Sequence, residues 1–176
     1  MNGEPAPLRA DSDLETATEN DDKLELKLWL RLLACATLIE GEIRGRLREH
    51  FEITLPRFDL LAQLDRAGDG LTMGELSNRL MVSNGNVTGL ADRLESEGLI
   101  VRTPSSTDRR SQFIRLTTAG KRAFDQMTPA HERWIDEIFS GLERKEMAML
   151  FALLGRLKRS ARLAERPREQ RTRRSP

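Results

Sequence analysis

Two helix starts in close succession, followed by two β-branched runs around a polar loop, constrain this chain more than any other feature. They lie in LTMGELSNRLMVSNGNVTGLADRLESEGLIVRTPSSTDRRSQFIRL, Leu71 to Leu116. Thr72 and Glu75 have the spacing of a capping box, in which a hydroxyl and a carboxylate reciprocally satisfy backbone amides left unpaired at a helix start. Leu76 and Leu80 give that helix an apolar face, and Met81-Val82 ends it. Ser83 is the next N-cap; it opens a helix predicted from Asn84 to about Glu97, with Gly98 as the C′ residue. Val87, Leu90, Ala91 and Leu94 recur at helical spacing and point inward. Asn84, Asn86, Thr88 and Gly89 are left on the outer face of the first turns.

Leu99 to Arg102 and Gln112 to Leu116 read as the two strands of a hairpin. The loop between them, Thr103 to Ser111, carries Pro104, three consecutive hydroxyl residues, and then Asp108, Arg109 and Arg110. Two capped helices followed by a basic hairpin describe a winged helix-turn-helix with a core of about residues 56–117. This predicts a mostly α fold with a small β-hairpin wing. Such a device lays its second helix in the major groove of double-stranded DNA, where Asn pairs bidentately with adenine and a Thr methyl touches a thymine methyl. An arginine at the loop tip enters a narrow minor groove, where the negative potential is enhanced. Asp108 would hold a neighbouring guanidinium, that of Arg110 or of Arg93. The DNA-binding candidates are therefore Thr72, Ser83, Asn84, Asn86, Thr88, Arg93, Asp108, Arg109 and Arg110. In isolation the Asp-Arg-Arg cluster would also suit a solvated surface hairpin; its position after the Gly98 stop makes it a wing.

The flanks are helical. Leu24, Leu28, Leu32, Cys35, Ile39, Ile43 and Leu47 mark one face of a long helix from about Asp22 to Glu49. Pro56 fits the first turn of a second helix running to about Ala67, which Gly68-Asp69-Gly70 ends. Thr117 caps a helix through Phe124 and Met127 that Pro129 should kink or interrupt before about Phe139. After Gly141, a final helix from about Glu143 places Met147, Leu150, Phe151, Leu154 and Leu157 on one stripe. These helices carry more apolar surface than one winged helix can cover, which predicts an isologous homodimer reading a palindromic operator. The net charge of +1 hides an asymmetry: residues 1–22 hold seven acidic residues and one basic, and residues 165–176 hold five arginines and two glutamates. Both tails are expected to be disordered, which leaves residues 23–164 as the folded domain. The lack of a long apolar segment or signal peptide predicts a cytoplasmic protein.

The segments LTMGELSNRL, MVSNGNVTGLADRLESEGLI and TDRRSQFIRLT, with Ala119-Gly120 after them, resemble the MarR family of bacterial transcriptional regulators over roughly Leu24 to Leu163. The resemblance implies a dimeric regulator, a repressor released from its operator by a ligand, an oxidant or a metal. Many relatives carry an arginine or similar polar residue where this chain has Gly89, which shifts base readout towards the asparagines. LWLRLL, TLPRFDLLAQL and LMVSNGNVTGL also resemble the branch that senses hydroxycinnamates, benzoates or their coenzyme A thioesters, and imply control of an aromatic-acid catabolic operon.

Family effectors bind in the cleft between dimerisation helices and winged domain. That implies lining by Trp29, Arg31, Leu32 and Cys35, by Arg57, Phe58 and Leu61, and by the helix near Trp134, with Arg44 or Arg46 also able to meet an anion. Peroxide sensors of the family use a cysteine supported by tyrosine hydroxyls. This chain has no tyrosine, and its single cysteine, Cys35, is expected to be a buried core thiol. His50 and His131 lack metal-ligand spacing, and no nucleophile–base pair or phosphate-binding Gly loop predicts an enzyme or a cofactor. The alternatives within reach are an activator, a regulator of another lipophilic ligand, and a winged helix that binds protein.

Arg110→Ala should weaken operator binding by about 1–3 kcal/mol, the scale of one good groove contact, and leave folding intact. A mobility-shift titration checks this; unchanged binding would show that the loop is not a DNA wing.

Overall fold

The computed structural model describes residues 23–104 and 112–172, with side chains through Ala164. The element order is α1 Leu24–Phe51, α2 Leu55–Ala67, β1 Leu71–Thr72, α3 Met73–Leu80, α4 Asn84–Ser96, β2 Ile100–Pro104, β3 Gln112–Leu116, α5 Thr118–Phe139 and α6 Arg144–Thr172. The chain divides into two units between His131 and Glu132. The first holds the predicted winged helix-turn-helix. Its antiparallel sheet has the order β1-β3-β2.

The hairpin strands fall where the β-branched runs placed them, with Ile100 opposite Leu116 and Pro104 opposite Gln112. The sequence pattern holds no counterpart to β1. Two residues are too few to show alternation, and Leu71 becomes a strand only by pairing with Ile114 of β3. The core of the first unit gathers Leu47 of α1, Leu60, Leu61 and Leu64 of α2, Leu76 of α3, the inner face of α4, and Ile100 and Ile114 of the sheet, all buried. Phe58 joins it. Its ring lies 5.4 Å from that of Phe124 and 4.6 Å from that of His131, so this candidate effector residue packs as core.

Three further expectations are corrected. α5 continues through Pro129 without interruption; the ring removes one amide donor, while the Thr128 hydroxyl bonds the Phe124 carbonyl at 3.0 Å. α6 extends to Thr172, so the predicted domain end at 164 falls inside a helix. Most of that basic stretch is Arg, Glu and Gln, which lose little rotamer freedom in a helix. Cys35 is exposed. Only the last turns of the α1 stripe, Ile43 and Leu47, are buried within the chain, while Leu24 and Leu28 stay exposed. Residues 1–22 lie outside the described residues.

Gly120 holds the wing against α5. A Cβ there would stand 1.9 Å from the carbonyl oxygen of Leu99. The same oxygen accepts from the Thr117 amide at 3.0 Å, and the Thr117 hydroxyl caps the Gly120 amide at 2.9 Å. Gly120→Ala should therefore lower stability by about 1–3 kcal/mol, the usual cost of overpacking a tight contact. Gly41→Ala, where a Cβ meets nothing within 4 Å, should not. Urea unfolding of the two variants checks the contrast.

Candidate nucleic-acid interface

The helix pair is built as its caps dictate. At α3 the Glu75 amide donates to the Thr72 hydroxyl at 3.3 Å. The Thr72 amide donates back to the Glu75 carboxylate at 2.8 Å. Met81 closes this helix in the left-handed region at φ 55°, and the Ser77 hydroxyl bonds the Val82 carbonyl at 2.6 Å across the turn. Ser83 then caps α4 by accepting from the Asn86 amide at 3.4 Å. Val87, Ala91 and Leu94 are fully buried, so the orientation of α4 about its own axis is set by packing.

What remains outside is either polar or glycine. Asn84, Gly85, Asn86, Thr88, Gly89 and Arg93 are exposed. The Thr88 hydroxyl is turned back onto the Asn84 carbonyl at 2.9 Å. Thr72, at the other end of the motif, is half-buried and committed to its capping box. That makes it a determinant of helix geometry. Asp108, Arg109 and Arg110 lie outside the described residues.

Two arginines brace the far end of α4. Arg102 of β2 reaches Asp92 at 2.5 Å and Glu95 at 3.2 Å, tying the wing strand to the helix it accompanies. Arg57, in the first turn of α2, pairs with Glu97 at the C-cap of α4. Its guanidinium is mostly buried, its Nε has no hydrogen-bond partner, and burial followed by the charge of Arg93 pulls its pKa below the usual arginine value. Neither brace was visible in the sequence. Each spans two elements, and the only local cue is an arginine beside an apolar run.

The residues expected to line an effector site differ in exposure. Trp29 and Arg31 are exposed on α1, Leu32 is half-buried, and Arg44 and Arg46 form ion pairs with Glu40 and Glu42 one turn earlier. Trp134 belongs to the second unit and is buried. An open cleft of about 340 Å³ does lie within the first unit, but Glu40, Leu55, Asp59, Leu80, Val82 and Leu90 are among the residues lining it. Burial first, and then the neighbouring Glu40, raises the pKa of Asp59. No group of His, Cys, Asp and Glu suited to a metal ion occurs among the described residues. None of the described helices is long and apolar enough to cross a membrane.

This architecture, two capped helices keyed to a three-stranded wing, recurs in proteins of known kind. The sequence profile of the MarR family matches residues 53–112. PecS, an HTH-type transcriptional regulator of Dickeya dadantii, is 30% identical, the match covering 79% of this chain and 85% of PecS. The chain belongs to the MarR family. Another relative, the transcriptional activatory protein BadR of Rhodopseudomonas palustris, is 34% identical over 115 residues; the match covers 62% of this chain and 65% of BadR. Among solved structures, a cysteine-to-serine mutant of E. coli MarR complexed with operator DNA superposes with a TM-score of 0.67 at 27% identity, covering 76% of this chain and 95% of that one. This MarR-family chain is thus a DNA-binding transcriptional regulator and not an enzyme.

The capping box makes one pH dependence readable. The Thr72 backbone amide, then its hydroxyl, hold the Glu75 carboxyl below its ordinary value of 4.5. A depressed folded-state pKa contributes stability that is complete above the unfolded value and is lost as pH falls through the folded one. The contribution should therefore be constant at neutral pH and disappear below about pH 4.5. Glu75→Gln should show a shallower loss of urea stability over that acidic range than the wild type, and the same slope above it.

Proposed function

We propose that the protein is a homodimeric, ligand-responsive regulator that reads a palindromic operator through α4 and the wing, and represses an aromatic-acid catabolic operon until an aromatic acid or its coenzyme A thioester releases it. The observation that carries the reading is the outward face of α4. Its first turns present the carboxamides of Asn84 and Asn86 with no hydrogen-bond partner among the described residues, on a helix whose inner face is locked. Base edges in the major groove supply the donors and acceptors those amides lack.

Dimerisation is supported by apolar side chains without cover. Leu24, Leu28, Trp29 and Leu33 are exposed on α1, and Met147, Leu150, Phe151, Leu154 and Leu157 are exposed on α6, with Phe151 83% accessible. Solvated rows of this kind mark interfaces, and a two-fold pairing would place two recognition helices about one DNA turn apart. The effector class is supported by the resemblance of the α1 and α2 segments and by the indole of Trp29, with Arg31 two residues on. The open cleft is lined by two carboxylates, which disfavours an anion there, so we place the aryl ring on Trp29. Activation is the second reading, favoured by the similarity to BadR, a transcriptional activatory protein.

Benzoyl or hydroxycinnamoyl thioesters should quench tryptophan fluorescence and dissociate the complex with DNA from upstream of the neighbouring operon. An effector preference of about 1.4 kcal/mol for the DNA-free form weakens binding tenfold. Trp29→Ala should keep DNA binding and lose that response. Dissociation by an unrelated lipophile, with the thioesters inert, would overturn the effector assignment and leave the regulator assignment standing.

A further inference from the structure

α4 carries two glycines that no neighbour among the described residues requires. A Cβ built at Gly85 or Gly89 meets no atom within 4 Å, so neither is kept small by a neighbour. Neither has the positive φ that favours glycine, which among the described glycines belongs to Gly68, Gly70 and Gly98. Glycine within a helix is nonetheless less stable than alanine, because it has more backbone freedom to lose. At 100° per residue, Gly85 and Gly89 flank the line directly opposite Val87, Ala91 and Leu94, which are fully buried. The most protruding part of the recognition helix, over its first two turns, therefore has no side chain.

The groups beside that bare ridge share one chemistry. Asn84 and Asn86 offer carboxamides, which match the N7 and N6 edge of adenine. The hydroxyl of Thr88 is bonded back to the Asn84 carbonyl, so its methyl is the group left to offer. The first cation of α4 is Arg93, near its C-terminal end. The bidentate arginine contact that reads guanine is therefore absent from the leading turns. These groups match an A·T pair, whose thymine carries a 5-methyl that projects into the major groove.

We propose that Gly85 and Gly89 determine specificity by letting the backbone of α4 approach A·T pairs until a thymine 5-methyl packs against the glycine Cα. The proposal rests on the reading of α4 as the DNA-contacting helix. It adds the base that the helix selects and the reason two helix-weakening residues occupy its crest.

The test exchanges one methyl for another. The full-length protein first selects a duplex from a random library, and each thymine of the half-site is then replaced singly by deoxyuridine. Gly85→Ala and Gly89→Ala should each raise Tm by about 2–4 °C, since alanine is the better helix former and the space is open. Each should also weaken binding to the thymine duplex by about tenfold or more, equivalent to about 1.4 kcal/mol. At one thymine per half-site, deoxyuridine should weaken the wild type and restore the matching alanine variant, the protein's new methyl filling the place of the missing one. Alanine variants that bind like the wild type would overturn the close approach. Weakened variants rescued by no deoxyuridine would overturn the thymine contact. Failure to select any duplex would overturn the DNA reading itself, and this inference with it.

Discussion

The burial of one face of α4 is the constraint on which the rest of the molecule depends. Val87, Ala91 and Leu94 have no accessible surface, and they sit in the same core as Leu76 of α3, Leu61 and Leu64 of α2 and Ile114 of β3. A helix held by interdigitated side chains in a close-packed core cannot roll about its axis without opening voids. The outward residues are thereby aimed without any bond of their own. Asn84 and Asn86 can stay unpaired towards solvent because the opposite side of the helix is fixed for them.

Charge then fixes what packing leaves free, the tilt of the helix relative to its neighbours. Arg102 joins the wing strand to Asp92 and Glu95, and Arg57 joins the start of α2 to Glu97 at the other end. Exposed ion pairs stabilise little. Their contribution here is geometric, since each joins α4 to a second element, the wing strand β2 or the start of α2. Arg57 is the more demanding of the two. It is largely buried, its Nε is unsatisfied, and Arg93 repels it, so the Glu97 carboxylate at the α4 C-cap has to offset both burial and a like charge.

The flanking helices tell the opposite story. The apolar positions that run along α1 and α6 are unmistakable as rows, yet much of each row remains solvated. Cys35 and Trp29 share that condition, which is why a thiol on an apolar stripe is exposed and an aromatic residue at a helical position is not core. Periodicity identifies a face that must be covered; it does not say by what. A second copy of the chain satisfies that demand under the proposed function, and the apolar face of Trp29 is then open either to that copy or to an acyl ligand.

Local chemistry was enough to read the DNA-binding motif. Capping at Thr72 and Ser83, the left-handed stop at Gly98 and the β-branched runs of the hairpin act over a few residues, so their pattern survives in one dimension and the structure realises each of them. The two-residue β1, the core position of Phe58, the arginine braces and the close contact between Gly120 and Leu99 were decided only in three dimensions. Each is an interaction between segments far apart in sequence, where neither partner carries a signal by itself. A phenylalanine near a helix start reads equally well as core or as pocket wall, and an arginine reads equally well as brace or as anion ligand. The sequence alone determined where α4 lies and which of its residues face outward, because caps and a 3.6-residue period are local. The depth at which that helix is held, and the partners its arginines take, came from tertiary packing, because burial and ion pairing depend on distances that the chain's order does not contain.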